Sequence, residues 1–243
     1  MLALGLAATE RVAAEGARAS AERAAAAWGD PPIVLTPSRL PQRFDESPST
    51  ITVIDRALIE ASGARRLADV LRLVPGFQVG YKINSLPTAT YHGLSDEYAR
   101  RTLLLLNGQR IFQYARGVIE WNNLPVPLEN IERIEVVRGP AAAAYGSNAL
   151  QAVINIQTGS ATEYPGLATR IAAGGDGIAD GFARYGDRIG TLDYTLSLAS
   201  QGEGGYRGIH DDRRNTTLSF QGETPSAAGG ELQLQAGLAR GDY

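Results

Sequence analysis

Few residues in this chain are suited to catalysis or to metal binding. The 243 residues include no cysteine and only two histidines, His92 and His210. The lack of cysteine excludes disulfides, thiol catalysis and iron–sulfur clusters, and a multi-histidine metal centre is nearly excluded as well. A hydrolase built on either histidine would need a nucleophile elbow or a paired acid, and the sequence offers neither. We therefore expect no catalytic residue and no cofactor.

Two short motifs could bind a ligand. The glycine-bearing turn at residues 139–146 could cradle a phosphate, but it lacks the Gly-Lys-Ser/Thr ending and the dinucleotide spacing, so a tight strand–helix–strand connection is favoured. His210, Asp211 and Asp212 could coordinate a cation. Three adjacent side chains rarely converge on one ion, so a solvated charge run is the better interpretation and no metal site is predicted.

Composition narrows the class of protein further. Hydrophobic residues make up 44% of the chain and charged residues 20%, as in ordered proteins. The net charge of −3 argues against a nucleic-acid partner. The 28 glycines and 12 prolines indicate many turns and few long helices. No run reaches the ~18 apolar residues of a membrane-spanning helix, so a membrane location would require a barrel.

The N-terminal residues 1–30 are rich in alanine. Arg11, Glu15, Arg18 and Glu22 recur at helical spacing and form one charged stripe. Because no Lys or Arg precedes the short apolar start, the start is a poor secretory signal. We expect a solvated helix or the remnant of an export segment. An amphipathic helix for a membrane or a partner is the alternative.

The middle of the chain, residues 49–160, is typical of a small mixed sheet with short helices. Asp55 stands at a helix N-cap, and a second helical run ends at Pro75. The apolar run 103–106 predicts a strand covered on both faces, and the following Asn107-Gly108 predicts a hairpin. Further elements are expected at these ranges: a strand at 131–137, a helix at 141–144 and a strand at 153–157.

The C-terminal residues 161–243 alternate with a period of two. Leucine or tyrosine occupies every second position from 192 to 198, and a similar pattern follows from 232 to 238. Turn clusters separate these stretches, which predicts four or five antiparallel strands. The alternation suits a soluble sandwich and a transmembrane barrel equally well.

One long stretch resembles a known family. Residues 131–156, which read IERIEVVRGPAAAAYGSNALQAVINI, resemble the end of the plug domain in TonB-dependent outer-membrane receptors. Three upstream motifs agree in order: LADVLRLVPG at 67–76, YHGL at 91–94 and LLLNGQR at 104–110. The resemblance covers about residues 33–158.

The resemblance implies a fold and a function. The fold class would be an α+β plug domain followed by an antiparallel meander, the truncated start of a 22-stranded outer-membrane β-barrel. The plug would gate the barrel lumen during energy-coupled uptake of a scarce substrate, with an iron–siderophore complex as the leading candidate. Because residues 161–243 supply only about five strands, we expect a fragment of a receptor. The alternatives are a soluble periplasmic binding or adaptor module and a non-functional truncated receptor.

The proline-flanked segment 31–48 contains a candidate partner site. Ile33, Val34, Leu35 and Thr36 resemble the TonB box, which the energy transducer TonB grips. A β-prone tetrapeptide can add to the edge of a partner's sheet, and the neighbouring prolines favour an extended chain. An ordinary edge strand of the plug is the alternative.

The resemblance also implies a plug–barrel lock. Arg138 matches a plug arginine that, in this family, barrel glutamates hold, and we expect those glutamates beyond Tyr243. His92, in the YHGL motif, stands where the family more often has arginine. A local pair between Arg138 and Glu135 is the alternative.

Substrate contacts in such receptors come partly from plug loops. Aromatic and amide side chains in glycine- or proline-bounded loops supply flat surface and hydrogen bonds, and for each of them a packed or interfacial role is the alternative. The candidates are Tyr81, Tyr98, Trp121, Asn122 and Asn123. The implied partners are TonB, a small-molecule or metal-chelate substrate and outer-membrane lipid.

Overall fold

The computed structural model of the chain describes residues 33–36, 42–47, 49–82, 86–94, 98–112, 117–206, 208, 210–226 and 229–242. The predicted helix within residues 1–30 lies outside them. The chain divides into two compact units between Pro48 and Ser49.

The first unit contains a two-stranded antiparallel sheet. Strand β1 (Ile33–Val34) pairs with β2 (Gln42–Arg43), so that Ile33 faces Arg43. A 3-10 turn at Phe44–Glu46 follows, and the Arg43 guanidinium lies 3.1 Å from the Asp45 carboxylate.

The second unit begins with the predicted plug, which is a mixed sheet as expected. Its strand order is β3-β8-β9-β6-β7, in which only β6 and β9 run parallel. A separate hairpin pairs β4 with β5. The strands are β3 (Thr50–Asp55), β4 (Phe77–Tyr81), β5 (Pro87–Tyr91), β6 (Thr102–Leu106), β7 (Gln109–Arg110), β8 (Ile131–Arg138) and β9 (Ala152–Thr158).

The helices of the plug are short. Helix α1 (Arg56–Ala61) begins as predicted, because the Asp55 carboxylate accepts the Leu58 N–H at 2.8 Å. Helix α2 (Leu67–Val70) tightens into a 3-10 turn at Leu71–Leu73, and α3 (Ala142–Tyr145) confirms the short helix near 141–144. Among the described residues, no helix is long and apolar enough to cross a membrane.

The core of the plug lies between the sheet and these helices. Every residue of β6 is buried, which confirms the strand covered on both faces. The following Asn107 and Gly108 have φ angles of 49° and 80°, as a two-residue type I′ hairpin requires. The apolar side chains of the helical run that ends at Pro75 are buried as well: Leu67, Val70, Leu71 and Val74.

The rest of the chain is a meander of five antiparallel strands, each paired with the next. This confirms the upper value of the predicted four or five. The strands are β10 (Gly166–Ala173), β11 (Ala179–Ile189), β12 (Leu192–Glu203), β13 (Arg213–Pro225) and β14 (Glu231–Asp242).

The alternation along these strands is inverted relative to a soluble sandwich. On β12, Leu196 and Leu198 are 47% and 51% exposed, whereas Thr195 and Ser197 are each 1% exposed. A soluble sandwich would bury the leucines, while the wall of a membrane barrel turns apolar side chains to lipid and polar ones inward. The strands are therefore built as a barrel wall. Other exposed apolar side chains are Leu167, Ile171, Ile189, Leu218, Leu232, Leu234 and Leu238.

Candidate functional site

A cluster of charged side chains joins the plug to the strands. The Arg65 guanidinium, in the loop between α1 and α2, donates from Nε and Nη2 to the two carboxylate oxygens of Asp180 on β11, at 2.7 and 2.8 Å. This two-point geometry is the strongest that an arginine–carboxylate pair offers. The hydrogen bond to Asp180 also raises the pKa of Arg65. The name latch is used below for Arg65, Arg66, Asp180 and Glu203.

Glu203, at the end of β12, gathers several cations around one oxygen. Its Oε2 accepts from Arg66 Nη2 at 2.6 Å and from Arg65 Nη1 at 3.1 Å. Arg213 Nη2 of β13 lies 3.6 Å from the same oxygen. Two plug arginines and one strand arginine thus share a single carboxylate. Gln201 adds a further link by donating to the Arg65 carbonyl at 2.7 Å.

A cavity of about 510 Å³ lies beside the latch. Its wall is rich in guanidinium and phenol groups, and latch residues form part of it. Groups of this kind bind ligands that carry anionic or polar oxygens. The polar lining residues used below are Arg65, Arg66, Asp69, Arg72, Tyr81, Glu203 and Tyr206.

Tyr81 is held in the cavity wall by two contacts. Its hydroxyl donates to Asp69 Oδ1 at 2.7 Å, and the Arg66 guanidinium lies 4.8 Å from the centre of its ring. Burial, followed by the hydrogen bond to Asp69, raises the pKa of Tyr81 to about 12. The phenol therefore remains a neutral donor at physiological pH.

A second polar contact joins the plug to the strands at Asn130. This residue ends the 3-10 turn Leu128–Asn130 and is 2% exposed. Its amide nitrogen donates to the hydroxyls of Ser197 on β12 and Ser219 on β13, at 2.9 and 3.2 Å. The two inward-facing serines satisfy an amide that would otherwise be costly to bury.

Glycines on the strands make room for the plug backbone. A Cβ at Gly237 of β14 would overlap the Pro125 carbonyl, and one at Gly186 of β11 would overlap the carbonyl of Tyr164. Side chains at these two positions would hold the strands away from the chain that they now touch.

The predicted substrate residues lie in four different surroundings. Tyr81 lines the large cavity. Trp121, which is 5% exposed, and Asn122 line a smaller cavity of about 40 Å³, and the Asn122 carbonyl accepts from Asn215 of β13 at 2.5 Å. Tyr98 is exposed, with the Arg100 guanidinium 4.8 Å from its ring centre. Asn123 donates to Glu120 at 3.0 Å.

The two residues of the predicted lock, Arg138 and His92, both contact the turn at Pro75-Gly76. Arg138 Nη1 donates to the Pro75 carbonyl at 3.4 Å, and the His92 N–H donates to the Gly76 carbonyl at 2.8 Å. The His92 ring lies 4.1 Å from that of its neighbour Tyr91.

Among the described residues, Glu135, Asp180 and Glu203 each lie within ion-pair distance of a plug arginine other than Arg138. Glu135, the alternative partner considered for Arg138, lies 3.2 Å from Arg133. Asp180 and Glu203 hold Arg65 and Arg66 instead. No local sequence pattern marks these two arginines, because their carboxylate partners lie on strands more than a hundred positions away.

Two of the four predicted TonB-box residues lie in a strand. Ile33 and Val34 form β1, in which Ile33 is exposed and Val34 is buried. Thr36 is also buried. The role of this segment stays a prediction.

The His210-Asp211-Asp212 run is divided between solvent and protein. Asp211 is buried, and its carboxylate accepts the Tyr206 N–H at 2.8 Å, whereas His210 and Asp212 are exposed. Within the part of the chain that the structure describes, no three His, Cys, Asp or Glu side chains are grouped to hold a metal ion.

A mixed-sheet plug against the polar face of strands with an apolar outer face is the arrangement of plugged outer-membrane receptors. Residues 43–153 match the family model described as TonB-dependent Receptor Plug Domain. These residues are therefore similar to the plug domain of TonB-dependent receptors, and relatives of the chain include proteins of the outer membrane.

Individual relatives agree with this assignment. The chain is 36% identical over 144 residues to a vitamin B12 transporter of Vibrio vulnificus. The matched region makes up 59% of this chain and 23% of that protein. It is 36% identical over 137 residues to an iron-regulated outer membrane virulence protein of Vibrio cholerae, covering 53% of this chain and 20% of that protein. The pyoverdine outer membrane receptor of Pseudomonas aeruginosa has the same fold, with a TM-score of 0.71 at 19% identity over 86% of this chain and 30% of that one. The chain thus spans about a quarter of the length of the curated relatives it matches.

Proposed function

We propose that this chain provides the plug and the first wall strands of a transporter for energy-coupled uptake of an iron–siderophore complex. The observation that carries the proposal is the polar contact between plug and wall, formed by the latch and by Asn130. A gate must separate from its wall and return, and hydrogen-bonded contacts allow this because water can replace them. TonB would supply the energy by gripping Ile33–Thr36, and no catalytic step is involved.

The cavity beside the latch supports the choice of substrate. Three arginines and two tyrosines line it, and guanidinium and phenol groups recognise the anionic oxygens with which siderophores surround ferric iron. Of the predicted substrate residues, Tyr81 lies in this wall. We propose it as a direct contact.

The strand connections support an orientation for the cavity. The turn after β11 is only Gly190-Thr191, whereas nine positions separate Glu203 at the end of β12 from Arg213 at the start of β13. Short turns in such barrels face the periplasm and longer loops face outward. The latch and the cavity would then lie at the outer end, where a substrate arrives.

Cobalamin is the second candidate substrate, and the similarity to a vitamin B12 transporter favours it. Uptake separates the two candidates: cells that lack their own receptors would be given the receptor containing this chain, together with either a radioactive ferric siderophore or radioactive cobalamin. We expect accumulation of the iron complex. Accumulation of cobalamin alone would replace the first substrate by the second, and recovery of the protein in the periplasm would favour a binding or adaptor module.

The TonB segment has its own test. Leu35→Pro removes a backbone donor and kinks the extended segment, so it should abolish uptake and crosslinking to TonB while substrate binding to the cells persists. Unchanged uptake would contradict the assignment of Ile33–Thr36 as the TonB site.

A further inference from the structure

The connection between β12 and β13 brings a tyrosine to the cavity beside the latch. Tyr206 lines this cavity of about 510 Å³ and is 59% exposed. Within the part of the chain that the structure describes, its side chain forms neither a hydrogen bond nor a ring contact. Tyr81, which lines the same cavity, is already engaged, because its hydroxyl donates to Asp69 at 2.7 Å. Tyr206 therefore offers a ligand a phenol whose hydroxyl is still available.

A buried carboxylate holds the backbone at Tyr206. Asp211 is 2% exposed, and its Oδ1 accepts the Tyr206 N–H at 2.8 Å. Gly205 directly precedes Tyr206 with a φ angle of 73°, and a Cβ at this position would overlap the same Asp211 oxygen. Only glycine lets the chain pass so close to Asp211. The backbone of Tyr206 is thus fixed although its side chain is exposed.

The same backbone is also held from the neighbouring strand connection. The Gly204 N–H donates to the Asp176 carbonyl at 2.7 Å, and Asp176 lies between β10 and β11. A Cβ at Gly204 would come within 2.9 Å of that carbonyl oxygen. Two contacts therefore fix the chain just before the tyrosine. A side chain on a fixed backbone loses less conformational freedom when it binds a ligand, so it contributes more to affinity.

We infer that Tyr206 is a substrate-contacting residue of the cavity and that Asp211 is the residue that positions it. The ligand chemistry is that of a flat ring with anionic oxygens, as in a catecholate iron chelate. A tyrosine ring packs against such a ring, and its hydroxyl donates to such an oxygen. The inference rests on the proposed function, since it adds two residues to the same substrate site.

Binding of a ferric tris-catecholate complex tests the role of Tyr206. The full chain in detergent micelles is titrated with this probe in a calorimeter. Tyr206→Ala should weaken binding about tenfold, as the loss of one aromatic contact does. Tyr206→Phe should weaken binding about fivefold, because one hydrogen bond is lost. Tyr185→Ala removes an exposed tyrosine that does not line the cavity, so this control should bind the probe normally.

A second set of variants tests the positioning role of Asp211. Asp211→Ala should weaken probe binding, and Asp211→Asn should bind more tightly than Asp211→Ala because it keeps an acceptor for the Tyr206 N–H. Since Asp211 acts through Tyr206, the double variant Tyr206→Ala/Asp211→Ala should bind no more weakly than Tyr206→Ala alone. His210→Ala and Asp212→Ala change the exposed neighbours and should leave binding unaltered.

Two glycines provide a matched pair on the same connection. Gly205→Ala would push the chain away from Asp211 and should weaken probe binding. Gly208 also has a positive φ, of 84°, but a Cβ there meets nothing within 4 Å. Both substitutions put a side chain at a positive φ, so the backbone strain is similar and only the contact with Asp211 differs. Gly208→Ala should therefore bind the probe more tightly than Gly205→Ala.

Three results would overturn the inference: no probe binding to the parent chain, normal binding in Tyr206→Ala, or additive losses in the double variant. The glycine pair still tests the positioning if Asp211→Ala fails to fold, and equal binding of its two members would overturn the role of Asp211. Siderophore uptake together with normal binding in Tyr206→Ala would leave the proposed function intact. Probe binding that depends on Tyr206, without uptake by the receptor, would contradict the proposed function alone.

Discussion

The Arg65 guanidinium donates hydrogen bonds to both carboxylate oxygens of Asp180, at 2.7 and 2.8 Å, although the two residues are 115 positions apart in the sequence. One residue belongs to a loop of the plug and the other to the second wall strand. Each side chain is mostly withdrawn from solvent, so the pair is screened less than a surface ion pair. This contact fixes where the loop between α1 and α2 lies against the wall.

Loss of this pair should destabilise the folded chain. Asp180→Asn leaves Arg65 without its two-point acceptor, and we expect the free energy of unfolding to fall by about 2 kcal/mol. Urea unfolding in detergent micelles, followed by the fluorescence of the buried Trp121 in a Trp28→Phe background, measures the change. The control is Asp193→Asn, which breaks the exposed pair with Arg188 and should have a smaller effect. If the two variants lost the same free energy of unfolding, the Arg65–Asp180 pair would stabilise the chain no more than an exposed pair does.

The buried amide of Asn130 should be coupled to the wall serines. Asn130→Ala leaves Ser197 and Ser219 without their plug partner, and we expect a cost of about 1–3 kcal/mol. In the double variant Asn130→Ala/Ser197→Ala, the cost should be less than the sum of the single costs, because both changes remove the same hydrogen bond. Strict additivity would show that the contact does not stabilise the folded chain.

A methyl group at one strand glycine should disturb docking of the plug. Gly237→Ala would place a Cβ against the Pro125 carbonyl, so we expect a lower melting temperature and faster proteolysis of the plug. Gly181→Ala on β11 is the matched control, since a Cβ there meets nothing within 4 Å. Similar behaviour of the two variants would argue against close contact of Pro125 with the wall.

The Tyr81 hydroxyl should stabilise the folded chain until the pH is high enough to ionise it. Its pKa is raised from 10.0 to about 12, so the folded chain favours the protonated phenol. Tyr81→Phe should therefore cost about 1 kcal/mol below pH 10, and the difference should vanish as the pH rises from 10 to 12.

Ultraviolet absorbance of the tyrosinate ion measures this directly. Both proteins should carry Tyr164→Phe, because burial raises the pKa of Tyr164 to about 12 as well. The Tyr81→Phe protein should then lack the ionisation step near pH 12. A Tyr81 that ionises near its ordinary value of 10.0 would show that the hydroxyl is not held by Asp69.

The elements of the fold followed from local patterns in the sequence. Asp55 could be recognised as a cap and Asn107-Gly108 as a hairpin, because each acts on backbone within a few residues. The alternation on β12 predicted a strand but did not decide which of its two faces points inward. The choice depends on whether lipid or water lies outside the sheet.

The latch could not be recognised in the same way. Arg65 and Arg66 stand in a polar loop, where arginines are ordinarily solvated, and their carboxylate partners are more than a hundred positions away. The lock expected at Arg138 and His92 came from the resemblance to the family. The structure places both residues at the Pro75-Gly76 turn.

The polar inner face of the wall also bears on how the plug responds to mechanical load. Serine, asparagine and arginine contacts break over short distances, and each broken contact can be taken up by a water molecule. A pull on the plug would therefore meet a series of small barriers in place of one large loss of apolar burial. Water that enters between the plug and the wall would replace the broken hydrogen bonds and ease sliding of the plug. The contacts could then re-form when the tension ends.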